Sequence, residues 1–193
     1  GLYISLERRL TSKQTTVFSA LIQRRINHEP TAYITGHKEF FGLDFQVAPP
    51  VLIPRPETEL LVEKAIDFAA TIIPRSCVIA DIGTGCGAIA IALAVNLPRA
   101  KIYATDISDA ALEIAKNNCQ QHGVSDRITF LQGNLIDSLP EPVHLIVANL
   151  PYVRESELAE LSPEISRFEP RLALNGGADG FGMIEQLISQ AER

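Results

Sequence analysis

Short apolar runs rich in β-branched residues alternate along this chain with longer stretches of helical spacing. Cys77–Ile82, Lys101–Thr105, Ile128–Leu131 and Val143–Ala148 have the length and composition of buried strands. Between the first three lie Ala88–Leu97 and Ser108–Gln121, which predict helices: Ser108 and Asp109 suit a capped and charged N-terminus, and Gly123 suits a stop. Strands alternating with helices at this spacing demand right-handed crossovers, so the pattern predicts an α/β fold with a doubly wound parallel sheet. Four strands are few for such a sheet, and further strands outside this sequence are expected to complete it.

Upstream the rhythm differs. Val17, Phe18, Leu21, Ile22 and Ile26 recur at helical spacing over 11–27, with Thr11 or Ser12 able to cap the start and Pro30 beyond the end. Glu39-Phe40-Phe41 and Phe45-Gln46-Val47 flank Gly42-Leu43-Asp44 and predict a β-hairpin. Pro56 suits a first helical position, and Glu57 and Glu59 suit the positive end of the helix dipole, so a helix is expected to run to about Ala70. A long acidic, Pro-containing segment follows Tyr152 as far as Asp179, and a last helical pattern covers Gly180–Arg193. The expected organisation is a small helical piece at 1–30, a linker with the hairpin at 31–54, and the α/β domain at 55–193.

Composition narrows the possibilities. A hydrophobic share of 46%, a charged share of 21% and a mean hydropathy of +0.11 fit a folded α/β chain rather than a disordered one. The net charge of −6 and pI near 5.2 argue against a general phosphate-gripping face, hence against general nucleic-acid binding. Cys77, Cys86 and Cys119 are too few and scattered for a disulfide framework, and no His or Cys pair has metal-ligand spacing. Asp81 and three glycines interrupt the apolar stretch from Cys77 to Leu97, so strand-turn-helix explains it better than a membrane span. With no signal-peptide pattern at the start, a reduced, metal-free cytoplasmic protein without membrane contact is expected.

Two places carry chemistry. Asp81-Ile82-Gly83-Thr84-Gly85-Cys86-Gly87 falls between a strand and a helix, where glycines let the backbone approach a ligand and the helix start offers free N–H groups. A nucleotide-like cofactor suits that loop. Gly83, Gly85 and Ala88 also satisfy a dinucleotide fingerprint, so the spacing alone admits NAD as well as S-adenosylmethionine. Asp106, ending the next strand, is placed to accept hydrogen bonds from ribose hydroxyls, and Asn134 is placed to meet an adenine edge. Asp81 is expected to face the ligand and neutralise an ammonium group, which favours S-adenosylmethionine over a pyrophosphate.

The second place is Asn149-Leu150-Pro151-Tyr152, just beyond the run Val143–Ala148, where ligands bind in open α/β sheets. A side-chain amide, a proline-stiffened turn and an aromatic ring make a polar cup suited to a planar amide or amino group. The expected roles are acceptance of the two substrate N–H bonds by the Asn149 side-chain oxygen and the Leu150 carbonyl, with Pro151 fixing the loop and Tyr152 packing on the amide plane.

Together these residues resemble the HemK/PrmC family of peptide chain release factor glutamine methyltransferases. The resemblance extends through Glu29–Gly36, Glu39–Leu43, Leu52-Ile53-Pro54-Arg55-Pro56-Glu57-Thr58-Glu59, the Asp81–Gly87 loop and Glu169-Pro170-Arg171-Leu172-Ala173-Leu174. It implies a class I, Rossmann-like methyltransferase domain that uses S-adenosyl-L-methionine, leaves S-adenosyl-L-homocysteine, and methylates the glutamine amide nitrogen in the Gly-Gly-Gln loop of a release factor. Asn149 would then serve cofactor and acceptor alike. The family usually carries Pro where this chain has Leu150, and its members have a longer N-terminal helical domain and additional C-terminal strands. Two alternatives stand beside this reading: an adenine exocyclic-amine methyltransferase acting on RNA or DNA, and a non-catalytic or NAD-binding module.

Overall fold

The computed structural model describes residues 10–72 and 77–192. The first nine residues of the expected helical piece and Arg193 of the last helical pattern lie outside them. The elements are α1 (Ser12–Ile26), α2 (Thr31–Thr35), β1 (His37–Phe40), β2 (Leu43–Gln46), α3 (Glu59–Ile72), β3 (Val78–Ile82), α4 (Ala88–Asn96), β4 (Lys101–Asp106), α5 (Asp109–Gln121), β5 (Ile128–Gln132), β6 (Leu145–Ala148), α6 (Pro163–Phe168) and α7 (Gly182–Ala191).

β3 to β6 form one parallel sheet in the order β5-β4-β3-β6. From β3 the chain steps outward through β4 to β5, then returns across the sheet to place β6 on the other side of β3. That reversal opens a crevice at the carboxyl ends of β3 and β6, where doubly wound sheets bind ligands. Register fixes what meets there. Ile82 pairs with Ala148 on one side and with Thr105 on the other, so Gly83, Asn149 and Asp106 leave the sheet as neighbours.

Burial follows the pattern of the sequence. Ile79, Ala80, Asp81 and Ile82 of β3 are buried, as is every residue of α4 from Ala88 to Ala94. A helix apolar all round must be covered all round, and α4 lies against α3, α5 and the sheet. Burying Ile89, Ile91 and Leu93 contributes about 1.5–3 kcal/mol each, which makes α4 the anchor of the loop that precedes it.

The hairpin closes over this core. Phe40 and Phe45 are fully buried with their rings edge to face at 6.2 Å. Its turn is tighter than expected: only Phe41 and Gly42 connect the strands, with φ of 53° and 72°, and Leu43 and Asp44 already belong to β2. Such a two-residue left-handed turn matches strand twist. Carboxylates stabilise it, because Glu59 Oε1 accepts the Phe41 N–H at 3.0 Å and Glu39 Oε1 accepts the Gly42 N–H at 2.7 Å. The buried Asn118 of α5 then ties β2 to the glycine loop. Its oxygen accepts the Gln46 N–H at 2.8 Å, and its amide donates to Gln46 O at 3.0 Å and Cys86 O at 2.8 Å.

Two short helices, α2 and α6, go beyond what hydrophobic spacing revealed, since five or six residues hold too little of a helical period to detect. The helix after Pro56 opens as a 3-10 turn over Pro56–Thr58 before α3 proper. Thr11 caps α1 through a reciprocal pair with Gln14, but Val17, Phe18, Ile22 and Ile26 of its apolar stripe are exposed. Among the described residues, no helix is long and apolar enough to cross a membrane.

Candidate active site

A cavity of about 430 Å³ occupies the crevice, and the glycine loop, Asp106, Gly133-Asn134-Leu135 and Asn149-Leu150-Pro151 line it together. The loop is held by its neighbours: the N–H groups of Gly83 and Thr84 both donate to Thr105 O at 2.9 Å, and Gly85 N–H donates to Asp106 Oδ2 at 2.9 Å. Gly85 sits at φ 57° with open space where a Cβ would project, so the backbone there is free to meet a ligand. Asp106 accepts the Ser108 N–H on Oδ1 at 2.9 Å, and its two oxygens, with four acceptor positions in all, retain capacity for hydroxyl donors. Asn134 is half-buried on the same wall.

Asn149 follows the last residue of β6, beside this loop. Its Nδ2 donates to Thr58 Oγ1 at 3.4 Å, which leaves its carbonyl oxygen for another donor. Leu150 is buried in a cluster with Ile82 against which Met183 and Ile184 pack, and a Cβ on Gly83 would stand 3.5 Å from its Cδ2. The leucine thus packs where the usual family proline would be, while its carbonyl belongs to the cavity-lining loop. Much of the remaining lining is apolar and includes Phe40, Val51, Pro54, Pro170 and Leu172.

The chemistry of a strand-turn-helix cradle beside an amide-bearing loop now has a match among known proteins. Residues 57–165, more than half of the 193, match the family described as Methyltransferase small domain. The chain belongs to the methyltransferase small domain family. Residues 1–36 also match the PrmC N-terminal domain. The release factor glutamine methyltransferase of Geobacter sulfurreducens is 40% identical over 192 residues, covering 99% of this chain and 66% of that protein. The protein of the same name from Chlorobaculum tepidum is 44% identical over 181 residues, 90% of this chain and 62% of its own. The chain therefore spans slightly less than two thirds of the length of these relatives. The hMettl16 catalytic domain, solved with an RNA hairpin, shares the fold at a TM-score of 0.60 and 17% identity, over 91% of this chain and 73% of its own. Membership of a methyltransferase family separates this glycine loop from the NAD-binding alternative that spacing alone admits.

Three residues expected at the site are not among those that line this cavity. Asp81 does not face the ligand side: it is fully buried within β3, not beyond it, and its Oδ2 accepts from Thr84 Oγ1 at 2.6 Å and from Ala90 N–H at 3.1 Å. Gly87 stays out of the cavity too, since a Cβ there would lie 3.0 Å from Ile91 Cδ1 and 3.2 Å from Ala115 Cβ, and its absence lets α4 approach α5. Tyr152 is 65% exposed and does not line the cavity, although Pro151 before it does. Cys86 lines it while remaining buried, and burial pushes its thiol up to about 12. Thr58 is the main residue that sequence reasoning about the site missed; only contact with Asn149 across the fold gives the Pro56–Thr58 turn this role.

Burial also pushes the Asp81 carboxyl up to about 7, partly offset by its bonds from Thr84 and Ala90 and reinforced by the charge of Asp106. A carboxyl raised in the fold favours the folded state fully below its unfolded value near 3.8, and that contribution is lost as pH rises through about 7. Asp81→Asn is therefore expected to flatten the pH dependence of stability between about pH 4 and 7. Denaturant titrations of both proteins across this range check the slope, and an unchanged slope would remove Asp81 as its source.

Proposed function

We propose that this chain carries the catalytic site of a release factor glutamine methyltransferase that uses S-adenosyl-L-methionine. The observation that supports it best is the register of β3 and β6, which sets the glycine loop and Asn149 side by side on one cavity with a cofactor half and an acceptor half. On the cofactor half, Gly83, Thr84, Gly85, Cys86, Asp106 and Asn134 would hold the nucleoside and amino-acid portions. When bound, S-adenosylmethionine supplies an electrophilic methyl group on sulfur.

The chain's own residues do the rest by orientation. An amide nitrogen is a poor nucleophile because its lone pair is delocalised, so the acceptor must be held in one attitude. Asn149 Oδ1 and the Leu150 carbonyl accept the two amide hydrogens, and the same two acceptors stabilise positive charge that develops on nitrogen. Thr58 keeps the Asn149 amide turned so that its oxygen remains available. Pro151 stiffens the turn, and Phe40, Pro54 and Pro170 give the acceptor side apolar walls.

The same walls favour a peptide amide over an adenine in nucleic acid. Among the described residues, Asp106 is the one charged side chain that lines the cavity and no lysine or arginine does, whereas a polynucleotide acceptor calls for cations along its phosphates. A neutral side chain flanked by small residues suits these walls. The test uses radiolabelled S-adenosylmethionine with a release factor, the same factor with Gln replaced by Ala in its Gly-Gly-Gln loop, and ribosomal RNA as parallel acceptors. Label on the release factor that disappears with the Gln-to-Ala variant is the expected result; label on RNA alone overturns it. Placement in the cytoplasm follows from a release factor partner and belongs to the same proposal.

A further inference from the structure

The loop that carries Asn149 is held from behind by a segment that no cofactor or acceptor role accounts for. Leu174–Gly182 lies along the main chain that follows Pro151. Val153 N–H donates to Leu174 O at 3.0 Å, Gly176 N–H to Val153 O at 2.8 Å and Glu155 N–H to Gly177 O at 2.9 Å, with Val153 and Asn175 paired in parallel. The segment then folds back on itself. Gly182 N–H reaches Gly176 O at 3.1 Å, Gly177 N–H reaches Asn175 Oδ1 at 3.0 Å, and Phe181 N–H reaches Asp179 Oδ1 at 2.9 Å. It leads into α7, whose Met183 and Ile184 pack against the buried cluster that holds Leu150.

Two glycines make the approach possible. A Cβ on Gly176 would stand 2.6 Å from Gly180 O, 2.8 Å from Pro151 O and 2.8 Å from Tyr152 Cα; a Cβ on Gly180 would stand 2.5 Å from Tyr152 O. Every one of these obstacles is main chain, so no flexible side-chain end could move aside. Gly177, between them, has open space where its Cβ would go. Gly176 does not adopt a positive φ, so closeness and not backbone freedom excludes a side chain there.

We propose that Gly176 and Gly180 are positioning residues for methyl transfer, clasping the Pro151 and Tyr152 main chain and so fixing the direction of the Leu150 carbonyl and the Asn149 amide. The inference rests on the acceptor-holding role given above to Asn149 and Leu150. It also accounts for the exposed Tyr152 ring, because a residue whose backbone is gripped from the Gly176–Gly180 side is held in register at its Cα whatever its side chain does.

Gly176→Ala is expected to lower kcat on the order of 10²-fold, the scale of a misplacement near 1 Å, while S-adenosylhomocysteine affinity and acceptor KM stay within roughly twofold. A kcat that is unchanged, or that falls only in step with cofactor affinity, overturns the proposal. Gly180 separates closeness from strain, because asparagine tolerates its left-handed backbone but still adds a Cβ. Equal loss in Gly180→Ala and Gly180→Asn supports the clasp, and recovery with asparagine overturns it. Should the variants fail to fold, amide exchange in the unaltered protein decides. Protection of the Val153 and Gly176 amides that rises and falls together supports the clasp; exchange at the rate of exposed loop amides overturns it. Should the unaltered protein label no release factor, the functional reading fails separately, and the NMR signals of Gly176→Ala then judge the geometry. Shifts at Asn149 and Leu150 with Gly83 and Gly85 unmoved support it, and unmoved Asn149 and Leu150 signals overturn it.

Discussion

Asn149→Ala is expected to cut methyl transfer to the release factor about 10²–10³-fold more than it weakens S-adenosylhomocysteine binding, the usual cost of removing one preorganised partner of the reacting group. The asymmetry follows from where Asn149 stands. It lines the cavity beside the glycine loop, its Nδ2 is engaged by Thr58, and its oxygen is the group left for the acceptor. The loop itself is held by Thr105 O and Asp106, which the substitution leaves in place. Single-turnover rates beside calorimetric affinities separate the two effects. Equal losses in rate and affinity would mean that Asn149 serves the cofactor alone. Thr58→Val should show a weaker version of the same pattern, since it releases the Asn149 amide without removing it.

Asp106→Ala is expected to abolish measurable cofactor binding at concentrations that saturate the unaltered protein. Charge-assisted hydrogen bonds from two ribose hydroxyls contribute roughly 1.5–3 kcal/mol each. The structure adds a second loss, because the same carboxylate holds the N–H groups of Gly85 and Ser108 at 2.9 Å. Removing it loosens the turn that meets the ligand and the first turn of α5 together. Asp106→Asn keeps an acceptor for one of these bonds and should recover part of the affinity. Full affinity for S-adenosylhomocysteine in Asp106→Ala, measured by calorimetry, would dismiss the carboxylate from the site.

The order of strands and helices could be inferred from the chain because each element announces itself locally. A run such as Ile79–Ile82 needs burial on both faces, and Ser108 needs no distant partner to cap α5. The glycine loop was legible for the same reason: three glycines between a strand and a helix have few uses other than close backbone approach to a ligand. The end of a strand pointed to Asn149, whereas Thr58 stood in a family string with no role attached, because nothing local says that a hydroxyl in the Pro56–Thr58 turn meets an amide just beyond β6. Asp81 was misplaced by the same limitation. Its position two residues before Gly83 suggested the ligand side, whereas strand geometry turned it beneath α4 to Ala90 N–H.

The alternation of elements, the loop chemistry and the candidate acceptor group all depend on neighbours a few residues apart, so the chain carries them before it folds. Folding sets which of those groups share a cavity, because that depends on the return of β6 to the far side of β3 and on the register of Ile82 with Ala148. It likewise decides that Asn118 joins the hairpin to the glycine loop and that Gly176 and Gly180 press against Tyr152. Contacts of that kind join segments tens of residues apart, and their geometry exists only once the sheet, with its crossovers, has brought the segments together.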